Sequence, residues 1–392
     1  MCTGPDGRPP KIVAATATIR RSAEQVRALH HQDVQLFPPS GPDARDSFFA
    51  VPDTGRPGRL YLGVMAQGHT AGRGAVATTA AMLQGVHRLP EEHRDAYWTL
   101  VAYHHSLREL GRTVTAAGDD IPAQLRGLDE GAGVRLLGDV QELTSNLKRA
   151  EQPVLLDRLE KPWEDPRSVA FLPCTNMLSV GVDVKRLAYM LMQGQPKTTA
   201  EYIQATSRVG RHRVPGLVVT YFNATRPRDR SHYETFIDYH RALYRYVEPA
   251  SVTPWSLPAR RRALRAALVV LVRHGLGLAA ENQAGRITGH RDEAERIADA
   301  LAERAAAAER GTTRADAVRA DVRAELGYLL DTWYRQARTA AVEGKDLYYR
   351  SQGKGQHNLL KTFEQRYGLW ETLNSMRSVD RECQITVTGA GK

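Results

Sequence analysis

The chain has 392 residues, of which 42% are hydrophobic and 25% are charged. It is long enough for two or three domains with buried cores, and its composition argues against wholesale disorder. Lysine and arginine outnumber aspartate and glutamate by 54 to 44, a net charge of +10 that favours a polyanionic partner, nucleic acid before a membrane surface.

Cysteine usage and apolar runs indicate the compartment. Cys2, Cys174 and Cys383 are too scattered for a disulfide framework or a zinc site. The N-terminus lacks the features of a signal peptide, and the apolar run 266–272 is far shorter than the ~20 residues needed to cross a bilayer. We therefore expect a cytoplasmic protein with no membrane partner and no metal site of its own.

Short apolar runs alternate with helix-like stretches up to about residue 225. Several runs are continuously apolar, as is typical of strands buried on both faces of a parallel sheet. The predicted strands are Lys11–Thr18, Gly58–Ala66, Tyr97–Tyr103, Val134–Leu137, Ser168–Cys174, Leu187–Met192 and Gly216–Phe222. The predicted helices are Ser22–His31, Thr78–His87, Ser106–Ala116, Gln141–Ala150 and Thr199–Val209. Repeated βα units predict an α/β domain.

The character of the sequence changes near residue 225. We assign residues 8–225 to the α/β domain, with a proline- and glycine-rich loop excursion near 37–57. Residues 226–392 have helical spacing and are assigned to a mainly helical accessory region. Arginines cluster at 208–230 and 260–265, which predicts a surface that follows a nucleic-acid backbone, although each cluster could be a solvated face.

Two segments about 20 residues apart hold the candidate chemistry: 175–183, after an apolar strand, and 202–211, on a helix. Arg208 and Arg211 are three residues apart and share a helix face, so their guanidinium groups can reach one anion. Such a pair suits phosphoryl transfer, which depends on positioning and charge stabilisation. We name both as candidate catalytic residues; the alternative is a pair of surface arginines in salt bridges.

Other residues of these segments suit contacts with a nucleotide or with phosphates. Gly210 permits close approach of the backbone, and Asp183 could bind a ribose hydroxyl or a bridging arginine, or simply begin a helix. The hydroxyls of Thr175 and Ser179 suit phosphate contacts or, alternatively, helix capping. The candidates for nucleotide contact are Gln204, Gly181, Asp183 and Gly210.

The two segments resemble motifs V and VI of superfamily 2 helicases. The Ala-Thr-Ala-Thr run at 15–18 resembles motif III, which implies that Thr16 and Thr18 couple the nucleotide and nucleic-acid sites. Segment 103–110 resembles motif IV. The ordered set implies a RecA-like parallel-sheet lobe of the P-loop NTPase type, the second lobe only, followed by a mainly α-helical region.

The resemblance also implies nucleic-acid contacts. Segment 142–146 resembles the hydroxyl-bearing element that follows motif IV, so Thr144 and Ser145 would hold a strand phosphate together with Thr175 and Ser179. The alternative for Thr144 and Ser145 is a helix cap or a turn.

Three short segments, 46–50, 193–197 and 374–380, resemble the C-terminal part of the DrmA family, large bacterial helicases of DISARM phage-defence systems. This resemblance implies single- or double-stranded DNA as the ligand, a role in anti-phage defence, and a DUF1998-type defence protein as a partner.

The motifs of a first helicase lobe do not occur in the sequence. The nearest imitation of Gly-x-x-x-x-Gly-Lys-Ser/Thr, at 193–199, has proline before the lysine, which removes an amide that a phosphate nest would use. Motif III at residue 15 leaves no space upstream for such a lobe. We therefore expect Arg208 and Arg211 to act as arginine fingers on ATP that a separate lobe, with Walker A and Walker B, holds together with Mg²⁺. The chain alone is expected to be inactive.

Two hypotheses follow. The first is the C-terminal half of an ATP-dependent DNA helicase or translocase in anti-phage defence, which supplies arginine fingers and strand-phosphate contacts. The alternative is a non-enzymatic nucleic-acid-binding or scaffold module left by a truncated helicase gene.

Overall fold

The computed structural model forms two compact units. The first comprises the described residues within Ala15–Arg20 and Leu36–Pro249, and the second those within Met1–Ala14, Arg21–Gln35 and Ala250–Lys392. The structure describes residues 11–16, 18–39, 42–43, 49, 51, 53, 55, 58–129, 131, 133–144, 147, 150–176, 183–211, 214–250, 252–309, 313–350, 357–361 and 367–372.

Helices and strands alternate through the first unit, and helices dominate the second. The α-helices are α1 Ser22–His30, α2 Ala71–His87, α3 Glu91–Trp98, α4 Leu107–Gly118, α5 Asp120–Gly127, α6 Gln152–Glu160, α7 Thr199–Thr206, α8 Pro227–Glu234, α9 Phe236–Arg241, α10 Leu257–Gly275, α11 Arg291–Ala308 and α12 Ala315–Val342. Among the described residues, Leu243–Tyr246 and Glu281–Gly289 form 3₁₀ helix. The strands are β1 Arg59–Met65, β2 Leu100–Tyr103, β3 Phe171–Cys174, β4 Tyr189–Gln193, β5 Gly216–Phe222, β6 Leu347–Tyr348, β7 His357–Asn358, β8 Leu360–Lys361 and β9 Trp370–Glu371.

The first unit is built on a five-stranded parallel sheet with the strand order β1-β5-β4-β2-β3. Successive side chains of β2 enter different cores: Val101 and Tyr103 pack with residues of α6 and α7, whereas Leu100 and Ala102 pack with residues of α2 and α5. Both faces of the sheet are therefore covered, which explains the continuously apolar strands. The α/β prediction is confirmed.

Two of the predicted strands are wrong. In Lys11–Thr18, Ile12 and Val13 are 45% and 84% exposed and the described residues pair with no strand. In Val134–Leu137 the side-chain amide of Gln84 takes the place of a ladder partner, because its oxygen accepts from the Arg135 amide at 3.1 Å. The run thus passes beside α2 as irregular backbone.

One predicted helix is also wrong, and another is too long. The described residues of Gln141–Ala150 form no helix; Leu143 instead makes a parallel bridge with Cys174 beside the sheet. The helix predicted over Thr199–Val209 ends at Thr206, because the chain turns there towards β5.

The second unit has a core between α10, α11 and α12. Trp333 of α12 is fully buried there, and its indole nitrogen donates to the carbonyl oxygen of Ala284 at 2.9 Å. Its ring meets those of Tyr349 and Trp370 edge-on. The short pairs β6–β7 and β8–β9 are both parallel.

Within the described ranges, no helix is both long and apolar enough to cross a membrane.

Candidate nucleotide and nucleic-acid sites

The turn from α7 to β5 carries the two candidate catalytic arginines. Helix α7 begins after Thr198, whose hydroxyl accepts from the Glu201 amide at 3.2 Å, as an N-cap does. The chain leaves the helix after Thr206, and Gly210 then adopts a φ of +66°. A Cβ atom at Gly210 would lie 2.4 Å from the Gly216 nitrogen. The glycine is thus required by close packing against the start of β5.

A third arginine, Arg59 at the start of β1, hydrogen-bonds to this turn and was not predicted from the sequence. The Nε of Arg59 donates to the Val209 carbonyl at 2.7 Å, and its Nη2 donates to the Ser207 carbonyl at 3.2 Å. Because Arg59 opens β1 and Gly216 opens β5 beside it, the turn lies at the amino ends of these strands. A lone arginine at the start of a strand gives no sequence signal for such a contact.

Arg208, Arg211 and Asp183 lie together at this turn. Nη1 of Arg211 is 2.5 Å from Oδ1 of Asp183, and its Nε donates to the Ser207 carbonyl at 2.9 Å. Burial lowers the pKa of Arg208, the positive charge of Arg211 lowers it further, and the carboxylate of Asp183 opposes both effects. Two cations and one carboxylate in this arrangement can receive an anion such as a phosphate.

The structure also brings Gln204 to the motif III segment. The side-chain amide of Gln204 donates to the Thr18 hydroxyl at 3.0 Å, across 186 residues of sequence. The Thr18 amide donates to the Thr16 hydroxyl at 3.4 Å. Arg20, two residues on, donates to the carbonyl oxygens of Arg245 and Val247, both at 3.2 Å. The 16–20 segment is therefore held beside α7.

Thr144 and Thr175 meet at the carboxyl end of β3. The Leu143 amide donates to the Pro173 carbonyl at 3.0 Å, and the Thr175 amide donates to the Leu143 carbonyl at 3.2 Å. Both threonines are largely buried. Thr144 and Thr175 thus lie at the opposite edge of the sheet from the arginine turn. Ser145, Ser179 and Gly181 lie outside the described residues.

His104 lies next to this pair of segments, at the end of β2. Its amide donates to the Cys174 carbonyl at 2.8 Å, and its side chain is buried with no hydrogen-bond partner for either ring nitrogen among the described residues. Burial lowers the pKa of His104 to about 4, while the Glu109 carboxylate raises it and His105 lowers it. His104 is therefore neutral near pH 7.

The glycine-containing segment after β4 is folded against the protein rather than around a phosphate. The Asp229 carboxylate accepts from the amides of Gln195 and Asn223 at 3.1 and 3.0 Å. The Thr199 amide, at the start of α7, donates to both carboxylate oxygens of Glu248. These internal acceptors occupy amides that a phosphate nest would need, in agreement with the exclusion of Walker A there.

The residues present fit a phosphate better than a magnesium ion. Arg208 and Arg211 supply cationic donors. Across the described part of the chain, no group of three or more His, Cys, Asp and Glu side chains is placed to hold a metal.

Residues 136–213 match the family of the helicase conserved C-terminal domain. This range contains Thr144, Thr175, Asp183 and both arginines of the turn. Together with the parallel sheet and its flanking helices, this match supports an α/β, RecA-like fold that resembles a helicase C-terminal lobe, as the helicase-like motifs predicted.

The chain is 36% identical over 395 residues to the DISARM protein DrmA of Bacillus paralicheniformis. The similarity covers 96% of this chain and 34% of DrmA, so the chain spans about a third of the length of that relative. It therefore resembles part of a DISARM protein, in agreement with the predicted resemblance to the DrmA family.

Solved helicase structures show weaker similarity. The DUF1998 helicase MrfA bound to DNA and AMPPNP is 18% identical, with a TM-score of 0.43 over 64% of this chain and 30% of that chain. Lhr of Mycobacterium smegmatis bound to ssDNA and AMP-PNP is 13% identical, with a TM-score of 0.39 over 55% of this chain and 25% of that chain.

Proposed function

We propose that this chain is the C-terminal half of an ATP-dependent DNA helicase or translocase that acts in anti-phage defence. The observation that carries the proposal is the cluster of Arg208, Arg211 and Asp183 within a helicase C-terminal lobe. In this proposal both arginines stabilise negative charge on the γ-phosphate of ATP. Contacts of this kind are worth a large factor in rate because phosphoryl transfer depends on charge stabilisation.

ATP and Mg²⁺ would be held by a lobe with Walker A and Walker B that lies outside these 392 residues. Gln204, Asp183, Gly210 and Gly181 would line the side of the nucleotide site that this chain supplies. Asp183 would orient Arg211 until a phosphate competes for the guanidinium, since a phosphate oxygen and a carboxylate oxygen accept the same donors. Bound ATP supplies the phosphoryl group on which the arginines act.

The proposed nucleic-acid contacts lie at the other edge of the sheet. Thr144 and Thr175, together with Ser145 and Ser179, would bind phosphates of a DNA strand. Hydroxyl and amide contacts to phosphates fix register without reading bases, so binding would be independent of sequence. The occurrence of DNA in the MrfA structure supports this choice of nucleic acid.

Coupling between the two edges would use the contact between Gln204 and Thr18. Thr16 and Thr18 belong to the segment held against α7, and α7 leads directly into the arginine turn. Movement of this lobe relative to a Walker lobe would then couple the nucleotide to displacement along the strand. A DUF1998-type protein is the proposed defence partner, and the cytoplasm the proposed location.

ATP turnover tests the proposal. The purified chain would be assayed with Mg²⁺ and single-stranded DNA, alone and with a separately expressed helicase lobe that carries Walker A and Walker B. We expect no turnover by the chain alone and DNA-stimulated turnover when the lobe is added. Turnover by the chain alone would reveal a nucleotide site within it. Absence of ATP turnover in both assays, with DNA binding retained, would favour the non-enzymatic binding or scaffold module.

A further inference from the structure

The first turns of α10 carry a dense group of arginines. Arg260, Arg261, Arg262 and Arg265 lie within nine residues of its start at Leu257. No acidic residue occurs in the sequence between Pro249 and Ala280. Whether such a group binds a ligand depends on how many of its charges the protein itself neutralises.

Only the first of the four has an acidic partner among the described residues. Arg260 is largely buried and lies 3.3 Å from the Glu325 carboxylate of α12. Arg261 and Arg262 are exposed, Arg265 is partly exposed, and none of these three has a hydrogen-bond or ion-pair partner in the described part of the chain. Arg261 and Arg265 are four residues apart, so their positive charges repel each other on the helix surface.

Several other arginines of the second unit are paired with carboxylates. Arg291 lies 3.3 Å from Asp331, and Arg273 lies 2.8 Å from Glu281. Arg323 contacts both Glu295 and Asp299. Single arginines unpaired among the described residues also occur, at Arg286 and Arg338, but on α10 three fall within five residues of one helix.

The two arginine clusters that the sequence predicted to bind nucleic acid differ in how many of their charges are paired. In the 208–230 cluster, Arg226 pairs with Glu109, and Arg230 pairs with Glu234. Arg228 donates to the carbonyl oxygens of Pro196 and Lys197. Those charges are used within the first unit, whereas Arg261, Arg262 and Arg265 have no such partner among the described residues.

We propose that Arg261, Arg262 and Arg265 form a second DNA-binding surface, which binds the phosphate backbone and adds to the contacts of the helicase lobe. The partner is a phosphodiester chain because three guanidinium groups on neighbouring turns of one helix match its repeated charge. Binding here is independent of base sequence. This inference rests on the proposed function, because it requires that the chain binds DNA.

The test measures binding of a fluorescent single-stranded oligonucleotide by anisotropy at several salt concentrations. The variant R261Q/R262Q/R265Q is compared with the wild-type chain and with the control R241Q/R291Q/R296Q. The control removes the same number of charges from exposed arginines that are already paired. Each phosphate contact contributes about 0.7 to the salt slope for single-stranded nucleic acid.

The slope of log K against log salt is negative, and we expect its magnitude to decrease by about 2 in the α10 variant. The affinity of this variant at 0.1 M salt should fall at least about tenfold. The control should lose less than about threefold. R261K/R262K/R265K keeps the charges and should bind nearly as well as the wild-type chain, which guards against a fold defect in the glutamine variant. Equal behaviour of the α10 variant and the control overturns the inference.

The two proposals fail in different ways. If Thr175→Val weakens binding while the α10 variant behaves like the control, only the α10 surface is refuted. If the wild-type chain binds no DNA even at low salt, both the α10 surface and DNA binding by the lobe are refuted.

Discussion

Arg211 donates to Asp183 across a distance of 2.5 Å, although 28 residues separate the two in the sequence. The same guanidinium group also donates to the Ser207 carbonyl, one turn earlier. Asp183 is 60% exposed, so the ion pair lies at the surface, where an incoming anion can reach it. An exposed pair contributes at most about 1 kcal/mol to folding, so its main effect is to orient the arginine.

The close packing of Gly210 on Gly216 makes the turn intolerant of a side chain. In Gly210→Ala, the new Cβ atom would lie 2.4 Å from a backbone nitrogen, and the residue would also have to keep a φ of +66°. We expect a loss of about 2 kcal/mol or more in the free energy of unfolding, measured with urea. Gly111→Ala is the control, because nothing lies within 4 Å of its added Cβ and it sits in helix α4. An equal effect in both variants would contradict this account.

Arg59 should hold the arginine turn in place. Arg59→Ala leaves two carbonyl oxygens, of Ser207 and Val209, without their charged donor. We expect a loss of about 1–3 kcal/mol in stability and faster hydrogen exchange at the amides of residues 207–211. Arg112→Ala serves as the control because Arg112 is exposed on α4 and its side chain makes no hydrogen bond or ion pair with the described residues. Unchanged exchange at the turn in Arg59→Ala would show that other contacts suffice.

Thr175 should contribute one hydrogen bond to DNA. Thr175→Val keeps the shape of the side chain and removes the hydroxyl, so we expect affinity for single-stranded DNA to fall about tenfold, the effect of one hydrogen bond to a charged phosphate. Thr115→Val, on the exposed surface of α4, should leave affinity unchanged. The measurement is anisotropy at fixed salt. Equal affinities of the two variants would remove Thr175 from the proposed contacts.

His104 should make stability depend on pH. Burial lowers its pKa from about 6.5 to about 4, so between these values the unfolded chain binds more protons than the native chain. The free energy of unfolding therefore falls as the pH falls through this window. Between pH 7.5 and pH 5 the loss from this group is about 2 kcal/mol.

The contribution of His104 to this pH dependence is obtained by comparing the wild-type chain with His104→Gln, in which the other titrating groups remain. Urea unfolding gives the free energy of unfolding at both pH values. The decrease between pH 7.5 and pH 5 should be about 2 kcal/mol smaller in the variant than in the wild-type chain. The same loss in both proteins would mean that His104 does not titrate as its burial requires.

The sequence predicted the sheet better than its surroundings. The bounds of β5, Gly216–Phe222, agree with the prediction because a strand covered on both faces appears as a continuous apolar run. Val134–Leu137 looks similar in sequence, yet Arg135 is buried there and donates to carbonyl oxygens of Leu83 and Trp98. Periodicity cannot distinguish a strand from a segment whose partners are side chains.

The site was accessible from the sequence only in part. Spacing predicted that Arg208 and Arg211 lie close together, which they do, but in the turn after α7 ends at Thr206 rather than on one helix face. It could not place Arg59 at Ser207, since that contact joins residues 148 positions apart. The contact between Gln204 and Thr18 was likewise beyond spacing, and only the resemblance to helicase motifs indicated that the two segments work together.

The most direct test is the turnover number for ATP of this chain combined with a lobe that carries Walker A and Walker B, measured separately for Arg208→Ala and Arg211→Ala. If these arginines stabilise charge on the transferred phosphoryl group, each variant should lower kcat by about 10³-fold, while DNA affinity and the midpoint of thermal unfolding stay close to those of the wild-type assembly. Wild-type kcat in both variants would contradict the account, because the turn would then carry no arginine finger.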